Sequence, residues 1–198
     1  MSNIAIKGAT TGTGVFTLES PATNTDRTLV LPDEAGTVLT SAGVPASAMP
    51  AGSVLQVVSK TFSEETSTTS YSFVAIGGSD ISITPTSVNS KILVVFNSNP
   101  HMNTAQNSGS AQEMYLTVFR GGVDLGNSDR GIAFCRRYGD GALNHYGEDS
   151  VSMQVIDSPN TTNEVTYTAY YRSNESNETV GYSYNSNLRT VWAMEIAG

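Results

Sequence analysis

KILVVFN, residues 91–97, holds the longest unbroken apolar run in the strand-rich part of the chain. It is apolar on both faces of an extended chain, which predicts a central strand covered on both sides. The same two-residue rhythm continues outward in both directions. On the C-terminal side, Glu113–Arg120 sets Met114, Leu116 and Val118 against Tyr115, Thr117 and Phe119, and Gly121-Gly122 turns the chain into Val123–Leu125. Glu164–Arg172 sets Val165, Tyr167, Ala169 and Tyr171 against Thr166, Thr168, Tyr170 and Arg172. Ser150–Ile156 points Val151, Met153 and Val155 inward, and Thr190–Ile196 closes the chain with Trp192, Met194 and Ile196 on one face, expected to be buried. Shorter runs at 54–60, 70–76, 80–84, 131–137 and 180–184 fill the intervals, with Tyr71, Phe73 and Ala75 sharing a face. With turns rich in Gly, Asn and Ser and no convincing amphipathic helix, residues 52–198 read as an antiparallel β-sandwich of jelly-roll type.

The first 51 residues read differently. Val15–Leu18, Thr28–Leu31 and Thr37–Thr40 are apolar runs at the lower limit of strand length, separated by breaks containing Pro, Gly or Asp. Three such runs enclose almost no core, so Val15, Phe16, Leu18, Leu29, Val30, Leu31, Val38 and Leu39 form a candidate assembly segment. Its short strands are expected to intertwine with copies of themselves or to dock on another protein, because closure removes exposed strand edges. Ala42–Gly52, holding Pro45 and Pro50 among small residues, reads as a linker that ends this module near residue 51.

Composition narrows the function classes. Charged residues make up 14% of the chain, against roughly 25% in ordinary soluble proteins, so polarity comes mainly from neutral groups. The formal net charge of -8 leaves no basic footprint for nucleic acid or an anionic bilayer. No run approaches the roughly 18 apolar residues of a membrane span, and no secretory leader is visible, so synthesis in a cytoplasm is expected. The one cysteine, Cys135, excludes an internal disulfide and any site needing two thiolates, and reads as a small buried residue.

The densest polar cluster is the stretch 136–149, RRYGDGALNHYGED. Its His and carboxylates match no ligand spacing, so no metal, cofactor or catalytic residue is assigned. It reads first as a solvated loop in which Arg136 and Arg137 pair with nearby acids. The same loop is also a candidate receptor contact, through Arg136, Arg137, Tyr138, Asn144, His145 and Tyr146, since tyrosine offers sugars an apolar platform with a polar rim. DLGNSDRG, 124–131, lacks the regular oxygen spacing of a calcium loop and reads as a turn. His101, after Pro100, reads as a loop residue or as one lining a subunit contact.

Thr28-Leu-Val-Leu-Pro32 followed by Ala35-Gly-Thr-Val-Leu-Thr-Ser41 resembles the short segment near the N-terminus of many bacteriophage tail fibre and related virion proteins. Pro50-Ala-Gly-Ser-Val-Leu-Gln56, Phe119-Arg-Gly-Gly122 and Trp192-Ala-Met-Glu-Ile-Ala197 are similar to the small C-terminal domains attached to such segments. The resemblance implies an elongated homotrimer, an N-terminal end that attaches to the virion and a distal β-domain that can face the host; a host surface glycan or envelope protein is the partner expected there. It implies a virion location and no catalytic residues. The chain lacks a long shaft repeat, which leaves open a short tail fibre, a capsid-mounted fibre or an adaptor to another fibre; the alternative with the same fold is a capsid-decoration, cement or adaptor protein that binds only other virion proteins.

Overall fold

The computed structural model describes residues 11–15, 17, 22–26, 28, 44, 46–104, 111–138, 145–174, 179–182 and 187–198. The chain forms two compact units, Met1–Leu39 and Thr40–Gly198. Within the first unit Val15 is exposed and the Thr25 amide donates to Thr23 Oγ1 at 3.2 Å. The other candidate assembly residues, Phe16, Leu18, Leu29, Val30, Leu31, Val38 and Leu39, lie outside the described residues.

Among the described residues the second unit is all-β apart from a 3-10 turn at Ala46–Ala48. Its strands are β1 (Val54–Phe62), β2 (Thr66–Thr68), β3 (Val74–Ala75), β4 (Ile81–Ile83), β5 (Lys91–Ser98), β6 (Pro100–Thr104) and β7 (Ala111–Arg120), followed by β8 (Val123–Asp124), β9 (Ala133–Tyr138), β10 (His145–Glu148), β11 (Val151–Asp157), β12 (Val165–Ser173), β13 (Val180–Tyr182) and β14 (Arg189–Ile196). Two ladders run β1-β14-β5-β11 and β2-β13-β6-β10. Each strand of the second ladder continues or precedes a strand of the first along the chain, in the same lateral order, so together they make one layer of four bent strands. The other layer places β3 and β4 beside β12, then β7, then β8 and β9. Numbering the composite strands along the chain gives sheet orders 1-8-3-6 and 2-7-4-5, the connectivity of a jelly roll.

The period-2 pattern explains which residues close the sandwich. Ile92, Val94 and Phe96 of β5, Met153 of β11, and Val191 and Ala193 of β14 face Ile81, Ile83, Met114, Leu116, Val118, Tyr167, Ala169 and Tyr171 in one buried cluster. Each large apolar side chain withdrawn from water there contributes on the order of 1.5–3 kcal/mol. Gly121 and Gly122 both take positive φ, 56° and 109°, as the two-residue loop pairing Arg120 with Val123 requires.

Several expectations need correction. KILVVFN is central in its layer but covered on one side only: Ile92, Val94 and Phe96 are buried while Leu93 and Val95 are partly exposed. In β14 the buried face is Arg189, Val191, Ala193 and Glu195, and Trp192 is 43% exposed. RTVWAMEI is apolar on both faces, and polar residues at both ends of the inner face reverse the reading taken from Trp192, Met194 and Ile196. Arg189 is accommodated because its guanidinium donates to the Glu64 carbonyl at 2.8 Å and lies 4.8 Å over the Phe62 ring, which ties the bend after β1 to β14. Ser70–Ile76 is a strand only at Val74–Ala75, since Ser70 Oγ accepts from the Ser72 amide and donates to its carbonyl, closing a turn. His101 lies in β6, not a loop, opposite Gly181 of β13; a Cβ at Gly181 would collide with its imidazole. At the start of the sandwich, Gly52 N donates to the Ala197 carbonyl and Ala197 N to the Ser53 carbonyl, both at 2.8 Å, which joins the two ends of the second unit.

Candidate functional site

The 136–149 stretch is not one loop. Arg136, Arg137 and Tyr138 end β9 in one layer, and His145 and Tyr146 open β10 in the other. Asn144, like the side chains of Tyr138, His145 and Tyr146, lies outside the described residues. The two arginines are engaged in ion pairs. Arg136 pairs with Glu113 across the β7–β9 ladder, and Arg137 reaches Asp149 at 2.9 Å. The Tyr115 hydroxyl also donates to Glu113; that bond, reinforced by Arg136, holds the Glu113 carboxyl below its ordinary range against the opposing effect of burial. This arrangement fastens β7 to β9.

Other polar groups singled out in the sequence are similarly committed. Within 124–131, Asp124 Oδ1 accepts from Thr117 Oγ1 at 2.6 Å and from Gly126 N at 2.9 Å. Asn127 Oδ1 accepts from the amides of Asp129 and Arg130, so these oxygens build a turn. Among the described residues no group of three or more His, Cys, Asp or Glu is placed to hold a metal. No helix among them is long and apolar enough to cross a membrane. Cys135 is buried against the core, and burial pushes its thiol up to about 11. Asp157 Oδ2 accepts from Arg120 at 2.5 Å and from the Tyr167 hydroxyl at 2.8 Å. Burial and this bond raise the Tyr167 hydroxyl well above its ordinary value, a bridge from β11 to the opposing layer.

Two surfaces escaped sequence reading. The first is the outer face of the β1-β14-β5-β11 ladder. Register places Val57, Met194, Leu93 and Ile156 in one row across the four strands, and Ser59, Trp192, Val95 and Gln154 in the next. Val57 and Ile156 are 55% and 61% exposed. The following row, Thr61, Thr190, Asn97 and Ser152, is polar, with Asn97 Nδ2 donating to Thr190 Oγ1 at 3.4 Å. An apolar band thus lies on this outer face between a polar strip and the row that holds Lys91 opposite Ile196. Its signal was present in the double-faced apolarity of 91–97 and 190–196, which the expectation of full burial absorbed.

The second surface is an open groove of about 460 Å³ lined by Tyr71, Ser72, Phe73, Phe119, Ser128, Asp129 and Arg172. Phe119 packs against Tyr170 at a tilt, with ring centroids 4.2 Å apart, and meets Phe73 edge-on at 6.3 Å. Arg172 lies 5.5 Å from the Phe73 ring centroid and 4.6 Å from that of Tyr115. Its Nε donates to the Asp129 carbonyl at 3.1 Å and its Nη2 to Asp129 Oδ1 at 3.2 Å. The groove joins the 70–73 turn, β7, β12 and the 124–131 turn, residues too distant in sequence to suggest a common site.

No protein-family model matches the sequence, and no curated protein matches it. Among solved structures the chain is similar to the infectious bursal disease virus VP2 subviral particle, at a TM-score of 0.36 and 10% identity over 74% of this chain and 34% of that one. It is also similar to a mutant VP2 of that virus in derived T=1 particles, at 0.31 and 10% over 73% and 37%. The Gx strain structure follows at 0.30 and 11% over 72% and 33%. The chain spans about a third of the length of these structures, and a likeness this slight carries no argument about function.

Proposed function

We propose that this chain is a structural protein of a bacteriophage particle, a short trimeric tail fibre. In this reading residues 1–51 attach it to other virion proteins and the jelly roll contacts the host surface. The observation that carries the assembly half of the reading is the apolar band of Val57, Met194, Leu93, Ile156, Trp192 and Val95. A contiguous exposed apolar face on a β-sheet marks an interaction surface. Turned toward a threefold axis, the band is buried in every subunit and the assembly closes. The resemblance of residues 28–41 to virion attachment segments supports the other half.

The single tryptophan, Trp192, makes the test direct. Mass measurement in solution is expected to give a trimer of the 20.9 kDa chain, with Trp192 emission shifted to the blue and shielded from iodide. Trp192→Glu is expected to dissociate it while leaving the far-ultraviolet spectrum intact, because the side chain points away from the core. A wild-type monomer overturns the trimer. Removing residues 1–39, the first compact unit, is expected to leave a folded jelly roll that no longer co-sediments with phage particles; retained incorporation places the anchor elsewhere. The same apolar band also suits an unlike virion partner, as in a decoration, cement or adaptor protein. That second reading is favoured if the chain is monomeric alone and Trp192 becomes shielded only on the particle.

A further inference from the structure

We infer that the groove between the 70–73 turn and the 124–131 turn is a saccharide-binding site for a neutral pyranose, and that it, rather than the 136–146 stretch, is the receptor contact of the jelly roll. This rests on the reading of the jelly roll as the host-facing part of the chain.

The groove combines the two elements that sugar recognition needs. Tyr71 is 53% exposed and lines the groove together with Phe73 and Phe119. Aromatic faces accept the C–H face of a pyranose, and the Tyr71 hydroxyl supplies a polar rim. The Asp129 side chain is 80% exposed, which leaves it accessible to sugar hydroxyls as a charged acceptor. The hydroxyls of Ser72 and Ser128 stand in the same lining. The volume of about 460 Å³ lies within the range of small-molecule sites.

Arg172 explains why the site is built in advance of any ligand, and why the sugar is neutral. Its side chain is 9% exposed and is held between the Phe73 and Tyr115 rings. Its donors go to Asp129 and to the Ser173 carbonyl. This fixes the loop carrying Asp129 against the aromatic wall, so little ordering cost falls on binding. The same bonds commit the guanidinium to the protein. An acidic sugar would therefore bring its carboxylate to the exposed Asp129, where Arg172 is committed to the protein and the neighbouring Arg130 already pairs with Asp129 Oδ2 at 4.0 Å, on a chain of net charge -8.

The experiment is saturation-transfer NMR and titration of the full chain with the methyl pyranosides of glucose, galactose, mannose and N-acetylglucosamine, with glucuronate and sialic acid as anionic probes. At a shallow site a ligand of about a dozen non-hydrogen atoms binds with Kd on the order of 1 mM. At least one neutral sugar is expected to bind, and the acidic ones are not. Tyr71→Ala and Asp129→Asn, both at exposed positions, are each expected to weaken binding about tenfold or more, whereas Tyr138→Ala and Tyr146→Ala leave it unchanged. Circular dichroism of each variant separates loss of binding from loss of fold. No neutral sugar binding, preference for an acidic sugar, or sensitivity to Tyr138 and Tyr146 in place of Tyr71 and Asp129 overturns the inference. Incorporation into phage particles is read separately by co-sedimentation, so failure of the virion reading is distinguishable from failure of the sugar site.

Discussion

Replacing Glu195 with alanine is expected to be among the most damaging single changes on β14, although the residue touches no candidate site. Its carboxylate is fully buried at the end of the inner face. It accepts from Gln56 Nε2 at 2.6 Å, Thr86 N at 2.7 Å, Thr86 Oγ1 at 2.8 Å and Ser90 Oγ at 2.6 Å. Together these bonds pin the 84–90 turn and β1 to the last strand. A hydrogen bond to a charged group contributes about 1.5–3 kcal/mol, and a buried donor left unpaired costs about 1–3 kcal/mol. The four do not simply add. Gln56 keeps its bond to the Thr84 carbonyl at 2.7 Å, and the hydroxyls of Thr86 and Ser90 can rotate, which leaves the Thr86 amide as the donor with no ready substitute. The expected loss is about 3–5 kcal/mol, or roughly 6–20 °C in Tm for a unit of this size.

Urea denaturation followed by Trp192 emission measures this loss, and pH gives a second, independent reading. Burial raises the Glu195 carboxyl, but the bonds from Ser90, Gln56 and Thr86 outweigh it and hold the group below its ordinary value of 4.5. A carboxyl depressed in the folded state stabilises fully above its unfolded value, and that contribution is lost as pH falls through the folded value. Wild type and Glu195→Ala should therefore differ most near neutrality and converge in acid. Glu195→Gln is expected to fall between them, because its amide nitrogen meets either Gln56 Nε2 or the Thr86 and Ser90 donors. A loss below about 1 kcal/mol, or a gap that stays constant between neutral pH and acid below 4.5, refutes the reasoning.

Gly131 has φ of 69°, and a Cβ there would collide with the Leu116 carbonyl oxygen; Gly131→Ala is expected to cost about 3 kcal/mol or more, measurable in the same urea titration. Cys135 should resist a thiol-disulfide reagent at pH 8 in the folded protein and react fully in denaturant, since burial holds its thiol near 11 and removes it from solvent; rapid native labelling would contradict its place in the core. Ending the chain before Val191 removes most of β14, which lies between β1 and β5, and is expected to abolish cooperative unfolding. A soluble, cooperatively folding truncation would count against the strand order.

Strand identity along the second unit was legible wherever one face was apolar and the other polar. Glu164–Arg172 shows why: Tyr167, Ala169 and Tyr171 are buried as their spacing predicts, because a strand with a single apolar face has one way to turn. Where both faces are apolar, periodicity cannot choose, and Thr190–Ile196 buries the face opposite to Trp192, Met194 and Ile196.

From the sequence alone it follows that this chain is all-β and that its C-terminal part is an antiparallel sandwich. Those properties follow from local spacing, which each strand carries within itself. Tertiary structure alone decided the pairing that sets Trp192 beside Val95 on an outer face, and it alone brought the 70–73 turn to Arg172 and Asp129. Both depend on which strands become neighbours, and neighbours in a jelly roll are mostly remote in sequence, so no short window of residues records them.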